Sequence, residues 1–300
     1  MSLTFIVGAT ATGKSELSIE LAKHLGAEII NADSMQLYRG MDIGTAKLTA
    51  EERSGIPHHL IDVLEVTQDA SVAEYQGWAR GKIDELLALG KNVVVVGGTG
   101  LYIKAILDEL NFPDTDPVVR ARLTLEAQQV GIDEMHARLT KLDPAAAAAI
   151  PKENVRRVVR ALEVIEITGA PFTANLPKAG ACYYPDAKQF GLVMNREDLK
   201  ERIDARVDAM WARGFVDEVR GLMEKGITKG RTARAALGYN QIITYLEGLV
   251  SEEEAKEETK RATRAYARRQ ETWFSRDERI NWLKGETRER LSAVLSSTIG

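Results

Sequence analysis

The segment Gly8-Ala-Thr-Ala-Thr-Gly13-Lys14-Ser15 constrains the fold more than any other part of this chain. It fits the pattern G-x-x-x-x-G-K-[ST], in which glycines turn backbone N–H groups toward a phosphate at the start of a helix. The pattern requires a strand before it and a helix after it. Leu3 to Val7 is an apolar run, and Ser15 to Leu25 repeats leucines at helical spacing. We therefore expect a strand–loop–helix unit that binds a di- or triphosphate, with Lys14 as a point charge and Ser15 as a Mg²⁺ ligand.

Strand and helix signals continue to alternate after this unit. Ala27 to Ala32 and the four valines Val93 to Val96 are predicted strands, and Ser71-Val-Ala-Glu74 is a capping-box pattern that opens a helix before Gly90. Such alternation is typical of an α/β fold with a doubly wound parallel sheet. Together with the phosphate loop, it predicts a P-loop NTPase-like core.

A helical insertion interrupts this core. After Pro113-Asp-Thr-Asp-Pro117 the chain shows only helical patterns as far as Gly169, and strand character returns at Phe190 to Met194. We expect three parts, a first core segment at 1–113, an all-helical insertion at 114–185, and a return to the core with C-terminal helices at 186–300. A long helix starting at Ser251-Glu-Glu-Glu254 carries the most basic stretch of the sequence.

Composition narrows the class of protein. The single cysteine, Cys182, excludes an internal disulfide, and no apolar stretch is long enough to span a bilayer. We expect a cytoplasmic monomer without a membrane partner. The net charge of −4 argues against indiscriminate nucleic-acid coating, but five basic residues without an acidic one lie between Lys260 and Arg269.

The other parts of a nucleotide hydrolase are harder to find. The valine strand ends in Gly97-Gly98, where a Walker-B strand would place an aspartate, and there is no Asn-Lys-x-Asp motif. Gly98-x-Gly100 does not extend to a dinucleotide fingerprint. These absences favour binding of a diphosphate over hydrolysis of a triphosphate.

Asp33 follows the second predicted strand, at the end where ligands collect in doubly wound sheets. A carboxylate there can take a proton from an attacking nucleophile. It can equally cap a turn, a common role of aspartate before serine. The spacing leaves both roles open.

Several motifs together resemble the tRNA dimethylallyltransferase (tRNA isopentenyltransferase) family over nearly the whole chain. The most specific is the block from Asp33 to Lys47, which contains Tyr-x-Gly-Met-Asp-Ile-Gly-Thr-Ala-Lys. The others are Val96-Gly-Gly-Thr-Gly-Leu-Tyr102, Pro57-His-His-Leu-Ile-Asp62, Arg160-Ala-Leu-Glu-Val164, Gly238-Tyr239 and Thr263-Arg-Ala-Tyr-Ala-Arg-Arg-Gln-Glu-Thr-Trp-Phe274. The cysteine–histidine zinc finger of eukaryotic members has no counterpart, which indicates a bacterial-type enzyme.

The resemblance implies a reaction and its catalytic residues. A dimethylallyl group would pass from dimethylallyl diphosphate to the N6 amine of the adenine next to the anticodon of tRNA. Asp33 would be the base, Thr99 would lie at the reacting centre, and Arg206 (or Arg202, one turn earlier) would bind the diphosphate with Mg²⁺. For Arg206 the alternative is an exposed ion pair with Asp204 or Asp208. The implied diphosphate loop comprises Gly8, Ala9, Thr10, Ala11, Thr12, Gly13, Lys14 and Ser15.

The resemblance also implies tRNA contacts, with Gln36 reading a base edge and the Arg261 to Arg269 helix holding phosphates. The implied tRNA-contacting residues are Asp33, Ser34, Met35, Gln36, Thr99, Arg120, Arg156, Arg157, Val158, Val159 and Arg160. Ala235 and Asn240 depart from the family pattern, in which longer polar or basic residues are common at these positions. Contacts around Gly238 are therefore expected to be weaker here.

Three other functions are compatible with parts of the sequence. A small-molecule kinase shares the phosphate loop, the carboxylate and a helical lid, but does not account for two arginine clusters. An adenylate isopentenyltransferase would prenylate a free nucleotide and would not need the insertion. A non-enzymatic RNA-binding module would not need Lys14, Ser15, Asp33 and Thr99 together.

Overall fold

A parallel six-stranded sheet forms the centre of the computed structural model, which describes residues 1–175 and 181–299. The strand order is β3-β2-β4-β1-β5-β6. The strands are β1 (Leu3–Gly8), β2 (Glu28–Asn31), β3 (His58–His59), β4 (Val93–Gly97), β5 (Lys188–Leu192) and β6 (Ile280–Leu283). The predicted α/β class with a doubly wound parallel sheet is confirmed. The short outer strands β3 and β6 were not predicted.

The helices follow the strands and also build the insertion. They are α1 (Lys14–Leu25), α2 (Val72–Ala88), α3 (Gly100–Leu107), α4 (Pro117–Val130), α5 (Ile132–Leu142), α6 (Pro144–Ala149), α7 (Val155–Thr168), α8 (Arg196–Ala212), α9 (Phe215–Glu224), α10 (Arg231–Arg234), α11 (Tyr239–Leu246), α12 (Glu252–Phe274) and α13 (Thr287–Ile299). Ser71 accepts a hydrogen bond from the backbone N–H of Glu74 at the start of α2, and Ser251 caps α12 in the same way. None of the helices in the described ranges is long and apolar enough to cross a bilayer.

Alternate residues of the central strands face two separate apolar layers. Phe5 and Val95 pack in one cluster with residues of α2 and α3, whereas Ile6 packs on the opposite face with Leu17 of α1 and Val294 of α13. This two-sided burial explains why β1 and β4 are continuous apolar runs.

The chain divides into two compact units. One comprises Met1–Leu107 together with the chain from Tyr184 onward, and the other is Asp108–Tyr183. The second unit contains α4 to α7, and its core includes Leu123, Leu139 and Val158. The functional insertion that we predict at 114–185 stays a prediction, and its residues 176–180 lie outside the described part of the chain.

Candidate active site

The loop between β1 and α1 adopts the conformation that its glycines predict. The φ angles of Gly8, Ala11 and Gly13 are 134°, 64° and 93°. A Cβ atom on Gly8 would lie 3.2 Å from the carbonyl oxygen of Leu192, so a larger residue would push β5 away. Helix α1 then begins at Lys14, which directs its first backbone N–H groups toward the loop.

Two distant side chains support this loop from the C-terminal part of the chain. Arg290 of α13 is 5% exposed and donates hydrogen bonds to the carbonyl oxygens of Thr12 and Val193, both at 2.9 Å. Gln270 of α12 accepts a hydrogen bond from the backbone N–H of Thr10 at 2.9 Å. Neither residue was predicted to belong to the site.

A cavity of about 800 Å³ lies beside the loop. The phosphate loop and the start of α1 form one wall, and α8 supplies Arg202 and Arg206 to another. Lys14 also lines this cavity, and its ammonium donates a 2.6 Å hydrogen bond to the carbonyl oxygen of Ala9. Ser15 lies exposed at the cavity wall.

Lys14 and Arg206 place two positive charges here without a neutralising ion pair anywhere in residues 1–175 and 181–299. Burial and, to a smaller extent, the charge of Arg206 lower the pKa of Lys14 to about 8, although Asp33 acts in the opposite direction. Burial also lowers the pKa of Arg206, which Asp33 counteracts and Arg202 reinforces. Two partly buried cations that repel each other are suited chemically to binding an anion.

The alternative role of Arg206, an ion pair with a neighbouring acid of α8, is wrong in this structure. Asp204 binds Arg264, and Asp208 binds Lys260 at 2.9 Å. Both basic residues belong to α12. Asp204 and Asp208 therefore bind α12, and Arg206 lines the two cavities without either of them as a partner. Arg202, the second candidate for binding the diphosphate, lines the larger cavity but not the smaller one.

A second cavity of about 350 Å³ shares Arg206 with the first. Its polar wall contains Asp33 and Thr10, so the predicted base and the phosphate loop border one space. The opposite wall is largely apolar and includes Ile203, Val207, Met210, Phe215 and Leu237. The two cavities together offer a site for an anion next to a site for an apolar or aromatic group.

Asp33 makes the local turn contact that its spacing allows and also lines the smaller cavity, where its role as a base stays a prediction. Its Oδ1 atom accepts a 2.9 Å hydrogen bond from the backbone N–H of Met35, which is a local turn contact. Its own backbone N–H donates to Oδ1 of Asn31 at 3.0 Å. These contacts hold the carboxylate in place while it lines the smaller cavity.

Thr99 links the loop after β4 to the segment after β2. Its hydroxyl oxygen accepts a 3.1 Å hydrogen bond from the backbone N–H of Ser34. The phenol of Tyr266 lies beside Thr99, and burial, followed by the charge of Asp33, raises the pKa of Tyr266 to about 12. Tyr266 lines the smaller cavity and was not predicted as a site residue. Its helical spacing from Gln270, four residues later, was the available signal.

The remaining predicted residues of this segment differ in their surroundings. Ser34 and Met35 line the smaller cavity. The side-chain amide of Gln36 donates a 3.1 Å hydrogen bond to the carbonyl oxygen of Thr45, so one of its donors is used internally. Ala235 and Tyr239 also line the smaller cavity. Tyr239 is fully buried, and its hydroxyl donates a 2.6 Å hydrogen bond to Glu218.

In the helical unit, Arg120 and Arg160 converge on a fully buried carboxylate. Arg120 donates to Oε2 of Glu163 at 2.7 Å, and Arg160 lies 3.0 Å from the same oxygen. Arg156 and Arg157 are exposed on the same helix. Val158 and Val159, which we also predicted to contact tRNA, are 0% and 5% exposed. Their side chains pack inside the unit, so of the residues predicted to contact tRNA on this helix only the arginines present charge at the surface.

The basic stretch of α12 is partly neutralised by acids. Lys260 and Arg264 bind the acids of α8, and Arg261 binds Glu258 at 2.7 Å. Arg268 and Arg269 are exposed, and the guanidinium of Arg269 lies 5.7 Å from the ring centroid of Tyr266. Only the later part of this stretch therefore offers unneutralised positive charge.

The chain's residues fit a Mg²⁺ ion that arrives with a diphosphate. Within the described ranges, no group of three His, Cys, Asp or Glu side chains is arranged to hold a metal. Mg²⁺ at phosphate sites usually keeps several waters and takes only one or two protein ligands besides the phosphate oxygens. The exposed hydroxyl of Ser15 in the larger cavity suits that single protein ligand.

Comparisons with known proteins identify the family of this chain. The family model described as IPP transferase matches residues 36–277. A tRNA dimethylallyltransferase of Thermobifida fusca is 61% identical over 283 residues, which are 93% of this chain and 88% of that protein. The corresponding protein of Streptomyces coelicolor is 56% identical, over 95% of this chain and 91% of its own length.

Solved structures show the same likeness. A full-length tRNA isopentenylpyrophosphate transferase from Bacillus halodurans superposes with a TM-score of 0.72 at 40% identity, covering 99% of this chain and 95% of that one. A eukaryotic dimethylallyltransferase acting on tRNA gives a TM-score of 0.80 at 28% identity, covering 94% of this chain and 73% of that one. This chain belongs to the IPP transferase family.

Proposed function

We propose that this protein transfers a dimethylallyl group from dimethylallyl diphosphate to the exocyclic N6 amine of the adenine adjacent to the anticodon of tRNA, releasing diphosphate. The observation that carries the proposal is the shared wall of the two cavities. A dicationic site, Lys14 with Arg206, adjoins a carboxylate, Asp33, in a space with apolar walls. Relatives that are more than half identical are named for this reaction.

The donor's diphosphate binds at the phosphate loop. Backbone N–H groups of the loop from Gly8 to Ser15, other than that of Thr10, which donates to Gln270, bind its oxygens together with the charges of Lys14 and Arg206. As the bond between the allylic carbon and oxygen breaks, negative charge builds on the leaving diphosphate, and both cations stabilise that charge. A Mg²⁺ ion bound to the diphosphate and to Ser15 would neutralise further charge.

The acceptor amine reacts from the side of Asp33. Its nitrogen forms the new bond to the allylic carbon, the carbon–oxygen electron pair leaves with the diphosphate, and the amine's proton passes to the carboxylate of Asp33. The amine's lone pair is delocalised into the adenine ring, so it becomes nucleophilic only as this proton leaves. General-base catalysis of this kind contributes about 10²–10⁴ in rate. Thr99, fixed against Ser34, positions the amine or a diphosphate oxygen.

The adenine must leave the anticodon-loop stack to reach Asp33. Unstacking takes a few kcal/mol and is easier in a loop than in a duplex. The apolar wall of the smaller cavity can accept the base and the allylic chain. Arg156 and Arg157 would bind tRNA phosphates, and Arg120 and Arg160 would complete that surface. We propose a monomer, and the tRNA substrate supports a cytoplasmic location.

The direct test combines purified protein, tRNA and radiolabelled dimethylallyl diphosphate. We expect label in tRNA with the wild type and a fall of at least about a hundredfold in the rate with Asp33→Ala, because the base is lost. Binding of tRNA by Asp33→Ala should change little. Asp186→Ala, an exposed aspartate outside both cavities, serves as the matched control. Transfer of phosphate from ATP to a metabolite, with no labelled tRNA, would refute the proposal in favour of a kinase.

A further inference from the structure

Gln270 joins two loops that belong to different halves of the proposed site. Its Oε1 atom accepts a hydrogen bond from the backbone N–H of Thr10 at 2.9 Å, and its Nε2 atom donates to the carbonyl oxygen of Gly98 at 2.8 Å. The side chain is 6% exposed, so neither hydrogen bond competes strongly with water. One amide therefore spans the gap between the phosphate loop and the loop that carries Thr99.

Tyr266 extends this connection by one helical turn. Its phenol lies beside the side chains of Thr99 and Gln270 and faces the smaller cavity. The hydroxyl of Thr99 in turn accepts from the backbone N–H of Ser34, next to Asp33. A continuous set of contacts thus runs from the phosphate loop, through α12, to the segment that holds the proposed base.

The fit around Gln270 allows little adjustment. A Cβ atom added to Gly98 would lie 2.2 Å from Nε2 of Gln270, a distance at which atoms cannot coexist. Glycine at position 98 is therefore what lets the amide approach its backbone. Such close packing transmits a change in one loop to the other.

We propose that Gln270 and Tyr266 are positioning residues that fix the donor loop and the acceptor loop at the separation required for transfer. The inference rests on the proposed function, because it concerns the same two substrates. A misplacement of about 1 Å between reacting groups can lower a rate by about a hundredfold. Binding of each substrate alone depends on one loop and is expected to tolerate that change.

The first test is Gln270→Met, which keeps the length and volume of the side chain and removes both hydrogen bonds. We expect kcat to fall by about ten- to a hundredfold. Equilibrium binding of inorganic diphosphate alone and of tRNA alone should each change by less than about threefold, since one neutral hydrogen bond at each loop is lost. Glu271→Met, the adjacent residue of α12 outside both cavities, is the matched control and should leave all three quantities unchanged.

Gln270→Glu separates the two arms of the connection. The carboxylate still accepts from Thr10, but it presents an acceptor instead of a donor to the carbonyl oxygen of Gly98. We expect kcat to fall at least as far as in Gln270→Met, and diphosphate binding to weaken, because the new carboxylate adds a negative charge beside the phosphate loop.

Tyr266→Phe removes the phenol oxygen and keeps the ring. We expect a smaller fall in kcat, about two- to tenfold, the effect of one lost polar contact. Because both residues act on the same loop, the double variant with Gln270→Met should fall by less than the product of the two single effects.

Wild-type kcat in Gln270→Met would overturn the inference, as would an equal loss of kcat and of substrate binding, which indicates a general structural defect. Thermal unfolding of each variant identifies the second case. An inactive wild type would instead refute the proposed function, so the two failures are distinguishable.

Discussion

Lys14 provides a charge that pH can remove without a mutation. Burial and the neighbouring Arg206 lower its pKa to about 8 in the free protein, although Asp33 acts in the opposite direction. The ammonium is then about nine-tenths protonated at pH 7 and about one-tenth protonated at pH 9. Only the protonated form attracts the donor's diphosphate. We therefore expect kcat/KM for dimethylallyl diphosphate to fall by about tenfold between pH 7 and pH 9, because kcat/KM reports groups of the free enzyme.

The sign and the origin of this change can both be checked in steady-state assays. Bound diphosphate favours the ammonium form and raises its pKa, so kcat at saturating donor should stay nearly constant over the same range. Arg206→Gln removes a repelling charge, so it should move the pH midpoint of kcat/KM upward while lowering its value at pH 7. Lys14→Arg keeps a permanent charge, and its profile should be flat.

Two outcomes would refute this reasoning. One is a wild-type kcat/KM that is constant up to pH 9.5, which would mean that Lys14 is not needed in its charged form. The other is an unchanged midpoint in Lys14→Arg, which would assign the titration to a different group.

Two further predictions concern the helical unit. Glu163→Gln should lower the free energy of unfolding by about 1–3 kcal/mol, because it removes the buried negative charge that binds Arg120 and Arg160. Both arginines are partly solvated, which limits the loss. An unchanged midpoint of urea unfolding would contradict this prediction. Replacing both Arg156 and Arg157 by glutamine should raise KM for tRNA and leave KM for the donor unchanged. The slope of log K for tRNA binding against log salt concentration should become shallower by about 0.7 per arginine. An unaltered slope would show that neither residue contacts tRNA phosphates.

Elements with a strong local signal could be predicted from sequence. The predicted helix Ser15 to Leu25 and the buried strands β1 and β4 each differ from their predicted bounds by one residue. Strand β3 has only two residues, too few for any periodicity to show. Strand β6 lies at the sheet edge with Trp282 40% exposed, so it lacks the apolar run of a central strand.

Residues whose role depends on tertiary contacts could not be predicted in the same way. Gln270 is an uncharged residue in a basic helix, and its partner Thr10 lies 260 residues away. The acids of α8 were equally suited by spacing to bind Arg206 or residues of another helix, and only the packing of α12 against α8 decides between them. Glu163 gave no signal, because its burial results from the packing of the whole helical unit.

The absence of a Walker-B aspartate now has a steric explanation. A Cβ atom on Gly97 would lie 2.2 Å from the carbonyl oxygen of Ala32. The ends of β2 and β4 therefore approach each other too closely for any side chain at this position. The sequence shows that no carboxylate is present at this position, but only the structure shows that the backbone leaves no room for one.

The hydrogen bond from Arg290 to Thr12 has a consequence for biosynthesis. The two residues are separated by 278 positions, so the ribosome completes the phosphate loop long before it makes the arginine that supports it. A nascent chain lacking α13 has the loop's sequence without this support. We expect the donor site to reach its final form only after α13 has left the ribosome.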